Sequence, residues 1–338
     1  MPRGNNLDVL RLIFAWLVVL AHANELPGYG SASPLFHASG LAVDGFFVLS
    51  GFLVFKSWVD RPDPRAYALR RFFRIWPAYA AVVLAQCVLL MALQPALPAA
   101  EAGRYLAANA VFLNFLAPSI GPLLDGLPLH AINGALWTLK IEAGFYLVLP
   151  VLAWAILRRP KLTLAVLVLA SLAWVTLWNR AGGPAVLMHQ LPGKMHLFAL
   201  GIGLALWRDR VGTPVLALGA TVAAALPWLI PLDPTLAQVQ RALLLAFALP
   251  LIGFRLPAVR LPFDISYGVY LVHFPLIQMA VLHGWTARMT LAETTAAVAA
   301  ATLGLALILN LAIERPMIRL GRHLARRTPL ADAAPVSQ

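Results

Sequence analysis

The sequence has few charged side chains, and this scarcity excludes an ordinary soluble protein. Only 12% of its 338 residues are Asp, Glu, Lys or Arg, 61% are hydrophobic, and the mean hydropathy is +0.78. Soluble domains carry about a quarter charged residues. A soluble two-domain enzyme is therefore excluded, because water is the wrong solvent for most of this chain.

Cysteine is scarce as well, and the histidines are scattered. The one cysteine, Cys87, lies in an apolar run, so it forms no intrachain disulfide and is expected to pack as a small hydrophobe. The eight histidines show no tight ligand spacing, so the sequence predicts no metal site. The chain also lacks the inverted repeat that marks many transporters.

Long apolar runs are what the sequence does have. They are about 17 to 22 residues long, and each can cross a hydrocarbon core of about 30 Å as a helix. The predicted fold class is all-α, a polytopic membrane protein with about ten transmembrane helices. We expect one membrane domain over residues 1–325 and a disordered cytoplasmic tail over 326–338. The predicted helices lie near 7–24, 36–55, 77–97, 134–157, 162–178, 191–207, 213–230, 237–253, 263–283 and 292–313.

The basic residues assign an orientation to this layout, because cytoplasmic connections are enriched in Lys and Arg. Nineteen of the 26 fall on one side: Arg3, Lys56, Arg61, Arg65, Arg70, Arg71, Arg74, Arg158, Arg159, Lys161, Arg208, Arg210, Arg255, Arg260, Arg315, Arg319, Arg322, Arg326 and Arg327. Five fall on the other: Arg104, Arg180, Lys194, Arg241 and Arg288. Both termini are therefore expected in the cytoplasm, with the chain in the cytoplasmic (inner) membrane. The net charge of +12 thus indicates the lipid bilayer as a partner and no nucleic acid.

Polar groups inside the apolar runs are the candidates for chemistry, since a charge near the bilayer centre costs about 2.5 to 3.5 kcal/mol on insertion scales. Arg11 and His22 are eleven residues apart, about three helical turns, and so share one helix face. Asp44 and Glu142 add two carboxylates, and Lys140 a further cation. Taken singly, each has a structural interpretation: a snorkelling arginine, a histidine that fills space, or a structural ion pair.

Two further groups of residues are candidates for binding. Arg71 and Arg74 are three residues apart, which suits bidentate binding of a phosphate, but taken alone they are better explained by cytoplasmic topology and attraction to anionic lipids. Tyr270 and His273 lie one turn apart, just before the helix-kinking Pro275. A kinked helix with polar side chains usually borders a cavity.

Taken together, six spaced motifs closely resemble the acyltransferase-3 family of membrane O-acyltransferases over about residues 6–320. They agree with one another and with the ten-helix topology. The motifs are Asn6-Leu7-Asp8-Val9-Leu10-Arg11 with His22, Asp44-Gly45-Phe46-Phe47 with Leu49-Ser50-Gly51-Phe52, Arg71-Phe72-Phe73-Arg74 with Pro77, Trp137-Thr138-Leu139 with Glu142 and Phe145-Tyr146, Tyr270-Leu271-Val272-His273-Phe274-Pro275, and Glu314-Arg315-Pro316.

The resemblance implies transfer of an acyl group, usually acetyl, from cytoplasmic acyl-CoA to a hydroxyl of a surface glycan or lipid-linked saccharide. The family's essential histidine and arginine of the first helix fall on His22 and Arg11. Its Arg-x-x-Arg pair, thought to hold the coenzyme, falls on Arg71 and Arg74, and its acidic position falls on Glu142.

One departure from the family pattern concerns the acidic position. Many members carry a second acidic residue directly after it, where this chain has Ala143. Which carboxylate orients the histidine therefore stays open. Some relatives also append a soluble hydrolase-like domain that finishes the transfer. Nothing of that size follows the tenth helix, so we expect direct acylation of the acceptor or a handover to a partner protein of glycan biosynthesis.

These residues define a hypothesis for the mechanism. The phosphates of acyl-CoA dock on Arg71 and Arg74, with Arg11 near the pantetheine, and the thioester reaches His22. The imidazole, whose ordinary pKa of about 6.5 suits proton transfer, acts as general base on the sugar hydroxyl or forms an acyl-imidazole first. No metal takes part.

The remaining site residues support this imidazole. Asp44 or Glu142 is expected to fix its tautomer and to stabilise the imidazolium. Three residues are assigned to the substrate pocket: Trp137, Tyr270 and His273.

Two other classes of function compete with this hypothesis. A transporter or flippase of a small molecule or lipid-linked saccharide also needs intramembrane charges, but it moves its substrate without consuming a thioester. A regulatory or scaffold membrane protein that has lost catalysis needs neither His22 nor Arg11, and both are present.

Overall fold

Helices form the regular structure of the chain. A computed structural model describes residues 5–230 and 232–327, and no strand occurs among them. The helices are α1 (Leu7–Glu25), α2 (Ser39–Val59), α3 (Pro64–Leu93), α4 (Ala99–Ala110), α5 (Trp137–Arg158), α6 (Pro160–Arg180), α7 (Ala185–Met188), α8 (Leu191–Trp207), α9 (Thr213–Leu229), α10 (Pro234–Pro250), α11 (Ser266–Leu282), α12 (Leu291–Leu309) and α13 (Arg315–Arg327). The all-α prediction is confirmed. Of the tail predicted over 326–338, residues 328–338 lie outside the described part.

Every predicted apolar segment contains a helix, but α3 begins thirteen residues before the predicted start at Pro77. Its arginines excluded this stretch from the apolar run. The helix begins here because the Asp63 side chain accepts hydrogen bonds from the backbone N–H groups of Arg65 and Ala66, at 2.9 and 3.1 Å. Pro64, at the first helical position, needs no N–H partner. The basic motif is therefore helical.

The helices are apolar on their outside as well as inside. Leu147 and Val151 on α5 are 81% and 72% exposed, and Trp228 on α9 is 84% exposed. Within the described residues, seven helical stretches are long and apolar enough to cross a membrane: 7–25, 39–59, 64–93, 134–158, 160–180, 234–255 and 291–327. Two shorter apolar helices are α9 and α11. The chain is a multi-pass membrane protein.

The chain divides into two compact units, and three of the divisions fall inside helices, in α1, α2 and α5. The first unit consists of Met1–Val18, Ala38–Ser57 and Ile141–Asp264. In it α6 packs on α8, and α10 packs on α6, α8 and α9. Helices α2 and α8 come unusually close, because a Cβ at Gly51 would overlap the Phe198 carbonyl oxygen and one at Gly201 would overlap that of Val48.

The second unit consists of Val19–His37, Trp58–Lys140 and Ile265–Gln338. Helix α11 packs along α12 and also touches α3, which in turn packs on α4 and α13. Of the eighteen residues from Ile265 to Leu282, those as far as Phe274 are buried without interruption. Helix α11 is therefore the best-covered element of this unit, and polar groups on it need partners inside the protein.

The close approach of α2 and α8 generates a prediction about stability. Gly201→Val should lower the free energy of unfolding by about 1–3 kcal/mol, since the added atoms overlap a backbone carbonyl that no side-chain rotation can remove. Thermal unfolding of the purified protein in detergent measures this. Gly304→Ala on α12 is the control, because a Cβ there meets nothing within 4 Å. Equal stability of both variants would contradict the packing.

Candidate active site

A pair of histidines forms the centre of the candidate site in the second unit. The Nδ1 atom of His22, in the last turn of α1, lies 2.9 Å from Nε2 of His273 on α11. The ring planes differ by only 5°, and the ring centroids are 5.2 Å apart. Since the two nitrogens are 2.9 Å apart, the ring centroids can be 5.2 Å apart only if both nitrogens lie on the line that joins the two centroids. The rings are therefore coplanar and joined edge to edge, the geometry of a straight hydrogen bond.

The two imidazoles differ in their surroundings. His273 is fully buried, and its Nδ1 lies 3.1 Å from the carbonyl oxygen of Val269 one turn earlier. His22 is partly exposed, and the ring of Phe274 meets its face edge-on at 5.0 Å. In the part of the chain that the structure describes, His273 is the one hydrogen-bond partner of the His22 ring. Its Nε2 therefore has no hydrogen-bond partner among the described residues.

Pro275 explains how the region before α5 is tied to α11. A proline has no N–H, so the carbonyl of Leu271, four residues earlier, loses its helical donor. The amide of Asn133 donates to this carbonyl at 2.9 Å. Gln278, one turn further along, donates to the carbonyls of Leu129 and Ala131 at 2.7 and 2.8 Å. The kink thus creates the acceptor that fixes residues 129–133 on the histidine helix.

Two of the residues assigned to the substrate pocket lie at this junction. The Tyr270 hydroxyl donates to the carbonyl of Ala135 at 2.9 Å and lies 2.7 Å from the hydroxyl of Thr138. Trp137 begins α5, directly before Thr138. The structure therefore brings Trp137, Tyr270 and His273 to one region of the second unit, where the start of α5 meets α11.

Arg11 has an acidic partner that the sequence motifs do not indicate. Its guanidinium forms a salt bridge with Asp264, and the two side chains are 16% and 17% exposed. Asn6 fastens the same region: its amide donates to the carbonyls of Ile252 and Pro257 at 2.9 and 3.0 Å, and its oxygen accepts from the N–H of Val259 at 2.7 Å. The motif from Asn6 to Arg11 therefore anchors the loop before α11.

Glu142 joins two of the predicted motifs within the first unit. Its Oε1 accepts hydrogen bonds from the Tyr146 hydroxyl at 2.6 Å and from the Ser50 hydroxyl at 3.3 Å. Tyr146 lies one turn further along α5, and Ser50 lies on α2. This carboxylate consequently links α5 to α2.

Asp44 is the most deeply buried carboxylate of the first unit, and two cations share it. Its oxygens accept from Lys194 Nζ at 2.8 Å and from Arg241 Nε at 2.9 Å. The side chains of Asp44 and Lys194 are 1% and 4% exposed. Burial lowers the pKa of nearby His189, and the positive charge of Lys194 lowers it further. This histidine therefore adds no positive charge at neutral pH.

Arg71 and Arg74 lie on α3, three residues apart on one helix face, and both are partly exposed. The Arg71 guanidinium lies 6.0 Å from the centre of the Tyr67 ring. Helix α13 packs along α3, and Gly321 on it leaves room for the Phe73 side chain. Four exposed arginines lie on α13: Arg319, Arg322, Arg326 and Arg327. The second unit therefore carries two basic helices side by side.

Sequence reasoning missed the partners of the charged residues, although each predicted apolar segment contains a helix. Asp264, Lys194 and Arg241 received no role, and His273 was assigned to substrate rather than to His22. A search for complements to each intramembrane charge would have found Asp264, because few carboxylates exist in the chain. Among residues 5–230 and 232–327, no three His, Cys, Asp or Glu side chains are grouped to hold a metal ion.

Comparison with known proteins gives one family and several relatives. A family model described as "Acyltransferase domain" matches residues 5–314. The chain is 29% identical to "Nodulation protein 10" of Rhizobium leguminosarum bv. viciae, over 97% of each chain. It is 28% identical to an "O-acetyl transferase" of Shigella phage Sf6, over 87% of this chain and 92% of the relative.

A third relative is "Acyltransferase MdmB" of Streptomyces mycarofaciens, with 27% identity over 87% of this chain and 84% of the relative. No solved structure matches the chain. The family resemblance expected from the six motifs is confirmed by the match over residues 5–314.

The Asp44 cluster generates a prediction that separates support of the fold from chemistry. Asp44→Asn should lower the free energy of unfolding by about 3–5 kcal/mol, because it leaves two cations without their buried counter-ion. Thermal unfolding in detergent measures it. The control is Asp209→Asn, whose side chain is 74% exposed and whose replacement should change stability by about 0.5 kcal/mol or less.

A double variant, Asp44→Leu with Lys194→Met, should recover part of the lost stability, since it removes one charge of each sign. If Asp44→Asn unfolds like the parent, the cluster does not support the fold.

Proposed function

Since the chain belongs to the acyltransferase family whose model covers residues 5–314 and is therefore an acyl-transferring enzyme, we propose that it transfers acetyl from cytoplasmic acetyl-CoA to a saccharide hydroxyl. The acceptor is a cell-surface or lipid-linked saccharide. Support for oxygen as the acceptor atom comes from the relative named "O-acetyl transferase", which resembles this chain over most of its length.

The topology of the proposal is ten membrane crossings with both termini in the cytoplasm. Seven long apolar helices, the shorter α9 and α11, and the 17-residue α8 supply ten segments, and about 17 residues is the lower limit for a crossing. The exposed arginines of α13 and those of α3 then share the cytoplasmic side. In this proposal the chain lies in the cytoplasmic (inner) membrane.

The donor site of the proposal is the basic face formed by α3 with α13. Arg71 and Arg74 bind phosphate oxygens of the coenzyme, because planar guanidinium groups on one helix face form paired charge-assisted hydrogen bonds. The arginines of α13 add positive potential beside them. Arg11, held by Asp264, takes the pantetheine portion, where its remaining N–H groups can donate to amide carbonyls.

The observation that carries the proposal is the state of the His22 ring. One nitrogen is engaged by His273, the other has no partner among the described residues, and the ring is partly exposed. This is the arrangement that a general base needs. Nε2 takes the proton of the sugar hydroxyl as its oxygen bonds to the thioester carbonyl carbon. The carbon–sulfur bond breaks, and the imidazolium returns the proton to the leaving thiolate.

The other site residues position these groups in the proposal. Trp137 and Tyr270 line the acceptor side near His273, where the start of α5 meets α11. Asp44 and Glu142 hold α2, α8, α10 and α5 in place through the hydrogen bonds described above. A separate protein of glycan biosynthesis is a further partner where the acceptor has to be presented.

Replacement of His22 tests the catalytic proposal. His22→Ala should reduce acyl transfer by about 10²- to 10⁴-fold, since proton transfer by a positioned base contributes that much. NMR or mass spectrometry of surface-glycan O-acylation in cells that produce the variant measures the loss. His283→Ala is the control, because His283 is exposed and bonds to the backbone of its own helix. A folded His22→Ala protein with parental O-acylation would rule out the role.

Charge removal on α3 tests the donor site. Arg71→Gln with Arg74→Gln should weaken acetyl-CoA binding at least about tenfold, because each charge-assisted hydrogen bond is worth about 1.5–3 kcal/mol. Isothermal titration of the purified protein with acetyl-CoA gives the affinity. Arg158→Gln is the matched control, as it removes a charge on the same proposed side from an arginine stacked on the Trp154 ring. Unchanged affinity in the double variant would refute this donor site.

A further inference from the structure

We infer that His273 is a positioning residue that fixes the tautomer of His22, so that the lone pair of His22 Nε2 faces the acceptor. The inference rests on the proposed function for its catalytic meaning, but its geometric basis is independent of any substrate. A neutral histidine thus orients His22, a role that the sequence analysis gave to Asp44 or Glu142.

The proton of the His273 ring lies on Nδ1. A backbone carbonyl oxygen can only accept a hydrogen bond, so the contact of 3.1 Å between Nδ1 of His273 and the Val269 oxygen requires a proton on Nδ1. The carbonyl has two lone pairs, and so it can accept this bond as well as its helical one. Val269 is itself fully buried, which leaves no water to replace the imidazole at this carbonyl.

The His273 ring is uncharged. Its ring is 0% exposed, and its neighbours are His22, Tyr270 and Phe274. In the described residues no carboxylate contacts the ring, so a positive charge here would lack a counter-ion. A buried charge without one is strongly unfavourable. His273 is therefore neutral, and a neutral imidazole with its proton on Nδ1 has an unprotonated Nε2.

The tautomer of His273 determines the tautomer of His22. Because Nε2 of His273 is an acceptor, Nδ1 of His22 has to be the donor of the 2.9 Å bond between them. The coplanar, end-to-end geometry places the N–H and the lone pair in line, as a strong bond requires. A neutral His22 then has its lone pair on Nε2. The Val269 carbonyl thus sets the state of the base through two imidazoles.

The arrangement has a consequence for the reaction. When Nε2 of His22 takes the proton of the acceptor hydroxyl, the ring becomes positively charged, and the His273 acceptor stabilises it through Nδ1–H. In a Ser-His-Asp site a carboxylate does this. Here the hydrogen-bond acceptor is the uncharged His273 ring. It directs the proton of His22 without adding a negative charge to the apolar surroundings of α11. Asp44 and Glu142 have their own partners, as described above.

Two substitutions separate orientation from packing. His273→Gln keeps an oxygen acceptor near the position of Nε2, whereas His273→Phe keeps a ring and removes the acceptor. The turnover of membranes supplied with radiolabelled acetyl-CoA should fall about 10- to 100-fold in His273→Phe, by analogy with the loss of the hydrogen-bond partner of a metal-bound histidine. His273→Gln should stay near the parent, and acetyl-CoA affinity should be unchanged in both. Equal turnover in parent and His273→Phe would overturn the inference.

Nitrogen NMR of histidine-labelled protein provides the direct readout. In the parent at neutral pH, the Nδ1 atom of His22 should be protonated and Nε2 should have the shift of an unprotonated imidazole nitrogen. His273→Phe, or His273→Asn if the first variant does not fold, should give a mixture of the two tautomers. A parent spectrum with the proton of His22 on Nε2 would refute the inference. This measurement needs no substrate, so it remains decisive even if His22→Ala shows that the proposed acyl transfer is wrong.

Discussion

A buried polar group in this apolar chain is costly unless it has a hydrogen-bond partner within the protein, and this constraint explains the contacts of the candidate site. Unpaired polar groups cost several kcal/mol where water is absent. The carbonyl that Pro275 frees is capped by Asn133, and Asp44 is shared by Lys194 and Arg241. Each of these bonds also joins separate segments of the chain. The polar residues therefore determine how the apolar helices are fastened together.

The histidine pair is the instance of this constraint to which we assign the proposed chemistry. His273 could satisfy its second nitrogen only with a side chain within reach, and His22 at the end of α1 provides it. The contact leaves one nitrogen of a partly exposed imidazole unengaged, beside a helix start that bears Trp137 and the Tyr270 hydroxyl. A contact that satisfies a buried nitrogen thereby presents the proposed base. Stability and the proposed reactivity come from one hydrogen bond.

The local pattern of apolar residues predicted the positions of the helices. It could not predict which distant side chains contact each other. Apolar runs locate helices because burial in a bilayer needs a continuous stretch, so every predicted segment contains one. The start of α3 was placed too late, since the Asp63 cap and Pro64 outweigh a run of arginines. The site residues His22, Arg11 and Glu142 came from the family motifs. Their partners His273 and Asp264 lie 251 and 253 residues away, so the spacing rules that locate helices do not connect them, and only the scarcity of carboxylates pointed to Asp264.

Selective modification of histidine tests the central claim that His22 presents a free Nε2 lone pair. Diethyl pyrocarbonate reacts with unprotonated imidazole nitrogens that are accessible. Peptide mass spectrometry should show carbethoxylation of His22 in step with loss of acyl transfer, while buried His273 remains unmodified. Inactivation that leaves His22 unmodified, or modification of His273 at the same rate, would contradict the account.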